Sequence, residues 1–227
     1  MTVGEISKVI QTWIAEYNEL SATAFINYVQ IFENRGEIMG CSNPHPHGQI
    51  WAQQSIPVEI EKKGFFLRKH YVQTSRTILQ DYLRQELEIG ERILFENESF
   101  VVLVPFWAVW PYEAMILPKK AAPDISSMNK EEQVGFAEAI SWLTIRYDNL
   151  FKTSFPYSAG IHQAPCNGNE HPEWHWHMSF YPPLLRSATV KKFMVGYELF
   201  ANPQRDITPE QAVKILKDLP PVHYLEK

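Results

Sequence analysis

The residues best suited to chemistry lie in one short segment, which reads Cys-Ser-Asn-Pro-His-Pro-His-Gly-Gln over 41–49. In an extended backbone, side chains two residues apart point to the same face, so His45, His47 and Gln49 form a row of two imidazoles and an amide. The prolines beside the histidines remove two N–H donors, which a regular ladder strand would need. The composition of this row is typical of a phosphate or metal site.

The row could carry out nucleophilic substitution at phosphorus. A neutral imidazole at His47 would attack phosphorus near neutral pH, and a backbone carbonyl on its other nitrogen would fix the tautomer. Gln49 can donate N–H bonds to the non-bridging oxygens but cannot supply a proton, which favours a leaving group such as a sugar phosphate leaving a diphosphate. For His45, metal ligation and a strand-orienting hydrogen bond both remain open.

A second set of candidate ligands lies in the second half of the chain. We predict that His175 and His177 share one strand face, with His162 on the neighbouring strand and Trp174 and Trp176 turned into the core. A metal site and a plain polar face are both compatible with this spacing. The whole set comprises His162, Glu170, His171, Glu173, His175 and His177. His70 and His223 are predicted to be buried residues with satisfied hydrogen bonds.

Helical and alternating patterns predict the elements that position these residues. A capping box at Thr2 and Glu5 opens the first helix. Single helices are predicted over 3–20, 129–151 and 208–219, and the region 59–90 is predicted to hold one or two helices. Strands are predicted over 25–32, 45–53, 92–95, 100–104, 113–117, 157–162 and 174–181. The first of these strands is predicted to end at a turn over 33–36.

The two halves share an order of helix, strand and histidine-containing strand, although only the second has leading strands before its helix. We therefore predict an α+β fold of antiparallel sheets with packed helices. Residues 1–90 would form a partial half-domain that carries the catalytic strand, and residues 91–227 a complete one. Halves that were never equivalent are the alternative.

Composition limits the functional classes. The 227 residues are 45% hydrophobic with a net charge of −5, and their lysines and arginines form no basic run, which argues against a nucleic-acid partner. Two cysteines are too few for a disulfide framework. Neither a signal peptide nor an apolar run of membrane length is visible, so the sequence predicts a cytoplasmic protein without a membrane partner.

Several longer stretches carry a specific resemblance, among them GCSNPHPHGQIWA, PFWAVWPYE, SFPYSAGIHQAP and FYPPLLRSATVKKFMVGYE. Along its whole length the chain resembles the galactose-1-phosphate uridylyltransferase family, which belongs to the histidine triad superfamily and has two such half-domains. The resemblance implies a ping-pong reaction. His47 would take UMP from UDP-glucose, release glucose 1-phosphate, and pass UMP to galactose 1-phosphate to give UDP-galactose.

The same resemblance implies roles for further residues and a homodimer whose sites are completed across subunits. Gln49 matches a phosphate-binding glutamine. Asn34, Cys41 and Ser42 lie where the family contacts the nucleotide and its phosphates. The segment that holds the hexose is matched by Lys192, Val195, Tyr197, Glu198 and Gln204.

The resemblance also implies two metal sites, of which this chain has only parts. His45 matches one of four zinc ligands, and the other three precede the position of Met1 in the family. The second site uses three histidines and a glutamate for iron or zinc; His162 and His177 match two of them. Ser179 and Lys63 stand at the other two positions, where His175 or Glu61 could substitute.

Three functions follow as hypotheses. The first is the uridylyltransferase, present as its C-terminal two-thirds. The second is a truncated, weak or inactive remnant that binds nucleotide or a partner. The third is another histidine triad transferase or hydrolase, against which the hexose segment argues.

Overall fold

A computed structural model describes residues 1–41 and 47–226. The helices are α1 (Val3–Ser21), α2 (Val58–Thr74), α3 (Ile78–Ile89), α4 (Lys130–Phe151), α5 (Tyr197–Phe200) and α6 (Pro209–Lys217). The strands are β1 (Tyr28–Arg35), β2 (His47–Gln53), β3 (Ile93–Glu96), β4 (Phe100–Leu103), β5 (Ala114–Pro118), β6 (Tyr157–His162) and β7 (His177–Tyr181). The α+β class and the antiparallel pairing are confirmed.

The strands form one seven-stranded sheet in the order β2-β1-β6-β7-β5-β4-β3, whereas separate sheets were expected for the two halves. The expectation fails because β1 pairs directly with β6, with Phe32 opposite Gly160 and Asn34 opposite Ser158. This pairing satisfies backbone groups that two separate sheets would leave exposed at their edges. The division into half-domains at residue 90 stays a prediction.

Helices α1, α4 and α6 cover one face of the sheet and bury the main core with it. The predicted capping box of α1 is confirmed, because Thr2 and Glu5 exchange hydrogen bonds between side chain and backbone. Fully buried aromatic side chains of α4 and the sheet meet at the centre, where Phe136 packs against Phe100 and Trp176. The core on this face stabilises the sheet, and the predicted site residues on the described strands lie on the opposite face.

The opposite face is covered over only part of its width. Leu79 and Leu83 of α3 pack on the inner residues of β4 and β5. Ile60 of α2 packs with Tyr28 and Trp174. Strand β2, at the sheet edge, is mostly exposed or half-buried.

The largest differences from the predicted strand boundaries lie at β1, which begins and ends three residues later than predicted, and at the start of β7. Strand β1 continues through the expected turn to Arg35, because Glu33 and Asn34 pair with both neighbouring strands; the turn begins at Gly36. Strand β7 begins only at His177, although Trp174 and Trp176 are buried as predicted. Within the described residues, no helix has the length and apolar character needed to cross a bilayer.

Candidate active site

The register of three strands places polar side chains in a line on the partly open face. His47 of β2 lies opposite Asn34 of β1, and Asn34 lies opposite Ser158 of β6. Directly opposed residues of an antiparallel pair project to the same face. The structure therefore brings the predicted nucleophile and the predicted nucleotide contact Asn34 together, and it adds Ser158.

Ser158 fixes the orientation of the Asn34 amide. The Ser158 hydroxyl donates a hydrogen bond to Asn34 Oδ1. The amide nitrogen is consequently the group that can donate to a ligand beside His47. Sequence reasoning missed Ser158, although alternation along the predicted strand over 157–162 places it on the same face as His162.

The Gln49 amide is fixed in a similar way. Trp51 Nε1 donates to Gln49 Oε1 at 3.0 Å, and the Trp51 ring packs edge-on against Phe32 with 5.6 Å between ring centroids. The Gln49 nitrogen keeps its N–H donors for a ligand, as its predicted role requires. Trp51 is 61% exposed, and alternation along the predicted strand over 45–53 places it on the same face as Gln49.

Of the other residues predicted around the row, the structure places His47 and Cys41. His47 is exposed on β2, and Cys41 is half-buried after the short 3-10 helix Glu37–Met39. The carbonyl predicted to hold the second nitrogen of His47 is not found among residues 1–41 and 47–226. The predicted contacts Ser42 and His45 lie outside the described residues.

The second predicted cluster is reduced to one histidine pair. His162 and His177 lie opposite each other on β6 and β7, and their rings stack with centroids 4.8 Å apart. Lys63 Nζ of α2 lies 2.9 Å from His162 Nδ1. Ser179, which stands at a predicted ligand position, follows on the same face of β7.

His171, Glu173 and His175 of the predicted set have structural partners, whereas Glu170 is exposed. His175 Nε2 is 2.8 Å from the Pro118 carbonyl, and its Nδ1 is 3.4 Å from the Thr77 hydroxyl. His171 lies between Asn167 and Glu173. The expectation that His175 shares a strand face with His177 is wrong, because β7 begins after His175. Throughout 1–41 and 47–226, no group of three His, Cys, Asp or Glu side chains is arranged to hold a metal.

The environment of His162, His175 and His177 favours their neutral imidazoles. Burial lowers the pKa of His177 to about 3 and that of His175 to about 4. Burial, followed by the proximity of His177 and Lys63, holds the pKa of His162 well below its usual value. Desolvation disfavours the charged form of each ring. His70 and His223, predicted to be buried and satisfied, contact Asp81 and Asp148 but are only half-buried.

The predicted hexose segment contains an ion cluster around the buried Lys192. Lys192 Nζ donates to Glu198 Oε1 at 2.9 Å, to the Gln204 carbonyl at 2.9 Å and to Asp206 Oδ2 at 2.7 Å. The Gln204 backbone N–H also donates to Glu198 Oε1. The structure thus brings Lys192, Glu198 and Gln204 together, with the ammonium turned inward. Val195 and Tyr197 are exposed.

A cavity of about 570 Å³ lies beside this segment. Met194 and Pro203 border it, together with His162, His177 and Trp110. Strand β2 lies three strand spacings from β7, roughly 15 Å away across the sheet. Within one chain, the hexose segment therefore borders the pocket at β6 and β7, and none of the described residues of the row lines that pocket.

Comparison with known proteins identifies the family. The model of the C-terminal domain of galactose-1-phosphate uridyl transferase matches residues 61–227, and that of the N-terminal domain matches residues 1–57. The chain belongs to the galactose-1-phosphate uridyl transferase family. The two family domains meet at the start of α2, whereas the half-domain boundary predicted from the repeat lies after α3.

Curated members of the family cover the chain from end to end. The galactose-1-phosphate uridylyltransferase of Haemophilus influenzae is 48% identical over 227 residues, and that of Kluyveromyces lactis is 50% identical over 236. All of this chain is covered in both cases, and it spans 64% of each relative. A solved uridylyltransferase structure superposes with a TM-score of 0.88 at 25% identity, covering 96% of this chain and 68% of the other.

Proposed function

We propose that this chain transfers UMP from UDP-glucose to galactose 1-phosphate through a uridylyl-histidine at His47. The observation that carries the proposal is the line of His47, Asn34 and Ser158 across three strands, with Gln49 beside it. An exposed imidazole is flanked there by two amides whose oxygens are already engaged. That arrangement provides a nucleophile next to N–H donors, as attack on a phosphate requires.

The proposed reaction has two substitutions at the same phosphorus. A lone pair of His47 forms a P–N bond to the α-phosphorus of UDP-glucose, and the P–O bond to glucose 1-phosphate breaks with its electron pair. Glucose 1-phosphate leaves as an anion and needs no proton. A phosphate oxygen of galactose 1-phosphate then attacks the same phosphorus and releases His47, giving UDP-galactose.

The amides at Asn34 and Gln49 would stabilise both transition states. Negative charge is spread over the non-bridging oxygens during phosphoryl transfer, and fixed N–H donors stabilise it without reorganisation. Trp51 and Ser158 act as positioning residues, since they hold the amide oxygens and so turn the nitrogens outward.

We further propose that two copies of the chain complete each site. The segment predicted to hold the hexose borders the pocket at His177 of β7, and β7 lies three strand spacings, roughly 15 Å, from β2, so a second copy would have to supply it. The apolar side chains of this segment are largely exposed to solvent, with Phe193 and Leu199 each 65% exposed and Phe200 90% exposed. Such a patch is typical of an interaction surface.

The proposal also covers the cellular compartment of the protein and its predicted zinc ligand. The free thiols of Cys41 and Cys166 are consistent with a reducing compartment, and we infer a cytoplasmic location. The role of His45 as a zinc ligand rests on the resemblance alone.

Covalent labelling tests the nucleophile directly. We would incubate the protein with UDP-glucose radiolabelled at the α-phosphorus and measure acid-labile, base-stable label on the protein, as expected for a phosphoramidate. The His47→Asn variant should carry no label. The matched control His70→Gln changes a histidine of α2 that pairs with Asp81 of α3 and should label like the parent protein.

Two results would overturn the proposal. Label that persists in folded His47→Asn would exclude His47 as the carrier. A folded parent protein that binds UDP-glucose but takes up no label would instead favour a nucleotide-binding protein without turnover.

A further inference from the structure

The pocket beside the stacked histidines contains an internal cation, the ammonium of Lys63. Its Nζ lies 2.9 Å from His162 Nδ1, and Lys63 is half-buried on α2. An ammonium has only donors, so Nδ1 must accept with its lone pair. His162 therefore carries its proton on Nε2.

His177 has the opposite tautomer. Its Nδ1 lies 3.1 Å from the His175 carbonyl, which can only accept a hydrogen bond, so the proton is on Nδ1. The lone pair of His177 is then on Nε2. Two stacked imidazoles with opposite tautomers are thus fixed by two different neighbours.

These contacts leave too few ligands for a metal ion. A neutral imidazole has one lone pair, and that of His162 is already used by Lys63. His175 has both ring nitrogens engaged with Pro118 and Thr77, and Glu61 is exposed on α2, so neither substitutes as a ligand. The hydroxyl of Ser179 is a poor replacement for an imidazole or carboxylate.

Charge opposes a metal ion as well. A divalent cation bound to His162 and His177 would lie next to the Lys63 ammonium in a half-buried pocket, where repulsion between like charges is strong. Binding would require both displacement of the lysine and loss of its hydrogen bond. The second metal site implied by the resemblance does not fit these residues.

We propose that the Lys63 ammonium replaces a metal ion in this pocket and links α2 to β6, so that the His162–His177 pair binds neither zinc nor iron. The geometry also points to the converse, that replacing Lys63 with an acidic residue would create a metal site. A carboxylate at position 63 would remove the charge, free the lone pair of His162 and supply a third ligand, which creates a metal site.

The test compares zinc binding by variants of the full chain, measured by competition with a chromogenic chelator and checked by elemental analysis. Parent protein and a His162→Ala/His177→Ala variant should bind the same amount of zinc. Lys63→Glu should bind one further equivalent, which Lys63→Glu/His177→Ala should lose. Lys62→Glu makes the same charge change at the neighbouring exposed lysine and should gain none.

The proposal is overturned if the parent protein binds an equivalent of zinc that the histidine substitutions remove. It is equally overturned if folded Lys63→Glu gains no zinc. If that variant does not fold, nitrogen NMR of the parent imidazoles decides: the proposal requires an Nε2–H tautomer for His162 and an Nδ1–H tautomer for His177. Any other pair of tautomers contradicts it.

Discussion

Replacing Gly36 with alanine should strongly destabilise the protein at the end of β1, the strand that carries Asn34. Gly36 has φ +91° and ψ +144°, a conformation that L-residues with a side chain rarely adopt. A Cβ at this position would lie 2.9 Å from Pro156 Cβ, well inside van der Waals contact. Pro156 immediately precedes β6, so the substitution forces apart β1 and β6, which pair with each other and carry Asn34 and Ser158.

The expected loss has two parts. Backbone strain in this region costs about 1–3 kcal/mol. Overpacking against the rigid proline ring costs a further 1–3 kcal/mol, roughly. Their sum, about 4 kcal/mol, is a large fraction of the free energy of unfolding of a typical domain, which is about 5–15 kcal/mol.

Urea unfolding followed by tryptophan fluorescence measures the difference, with Gly90→Ala as the control. Gly90 closes α3 with φ +75°, and no atom of the described chain lies within 4 Å of a Cβ built there. Its substitution should therefore cost only the left-handed strain, about 1 kcal/mol. Equal losses for the two variants would refute the steric argument, since only Gly36 has the close contact.

Three further perturbations have defined outcomes. Gln49→Ala should lower kcat by about 10²–10³ with unchanged stability, because it removes a transition-state donor; a change in KM alone would contradict that role. The free energy of unfolding should fall by ~3 kcal/mol as the pH drops from 6.5 towards 4. The reason is that the pKa of His175 is lowered to about 4 in the folded protein, so in this range the proton binds to the unfolded chain and not to the folded one. Unfolding curves across this range should show a smaller loss in His175→Gln. Lys192→Met should cost about 2 kcal/mol, because it leaves Glu198 and Asp206 without their shared cation; an unchanged urea midpoint would show that the ion cluster contributes nothing.

The sequence predicted the elements well where local signals were strong. The predicted capping box at Thr2 marks the start of α1, the helical pattern over 129–151 matches α4, and the alternation over 157–162 matches β6. Hydrogen bonding within a helix is local, so capping and periodicity are sufficient evidence for it. The end of β1 was misplaced because the turn-like residues at 33 and 34 are held in the sheet by pairing on both sides, which is a tertiary effect.

The site was predicted only in part, for a similar reason. Alternation along one strand predicts that His47 and Gln49 share a face, and this prediction requires no knowledge of the neighbouring strands. Ser158 and Trp51 gained their roles from cross-strand register and from a hydrogen bond between side chains, which a single strand pattern does not contain. Lys63 stands 99 residues from His162, and only the packing of α2 on the sheet brings them together.

Isotope exchange tests the central claim most directly. In the absence of galactose 1-phosphate, a covalent uridylyl-histidine predicts that labelled glucose 1-phosphate is incorporated into UDP-glucose, and that His47→Asn abolishes this exchange while still binding the nucleotide sugar. Net transfer to galactose 1-phosphate without any such exchange would contradict the account, because it would show direct transfer between the two substrates.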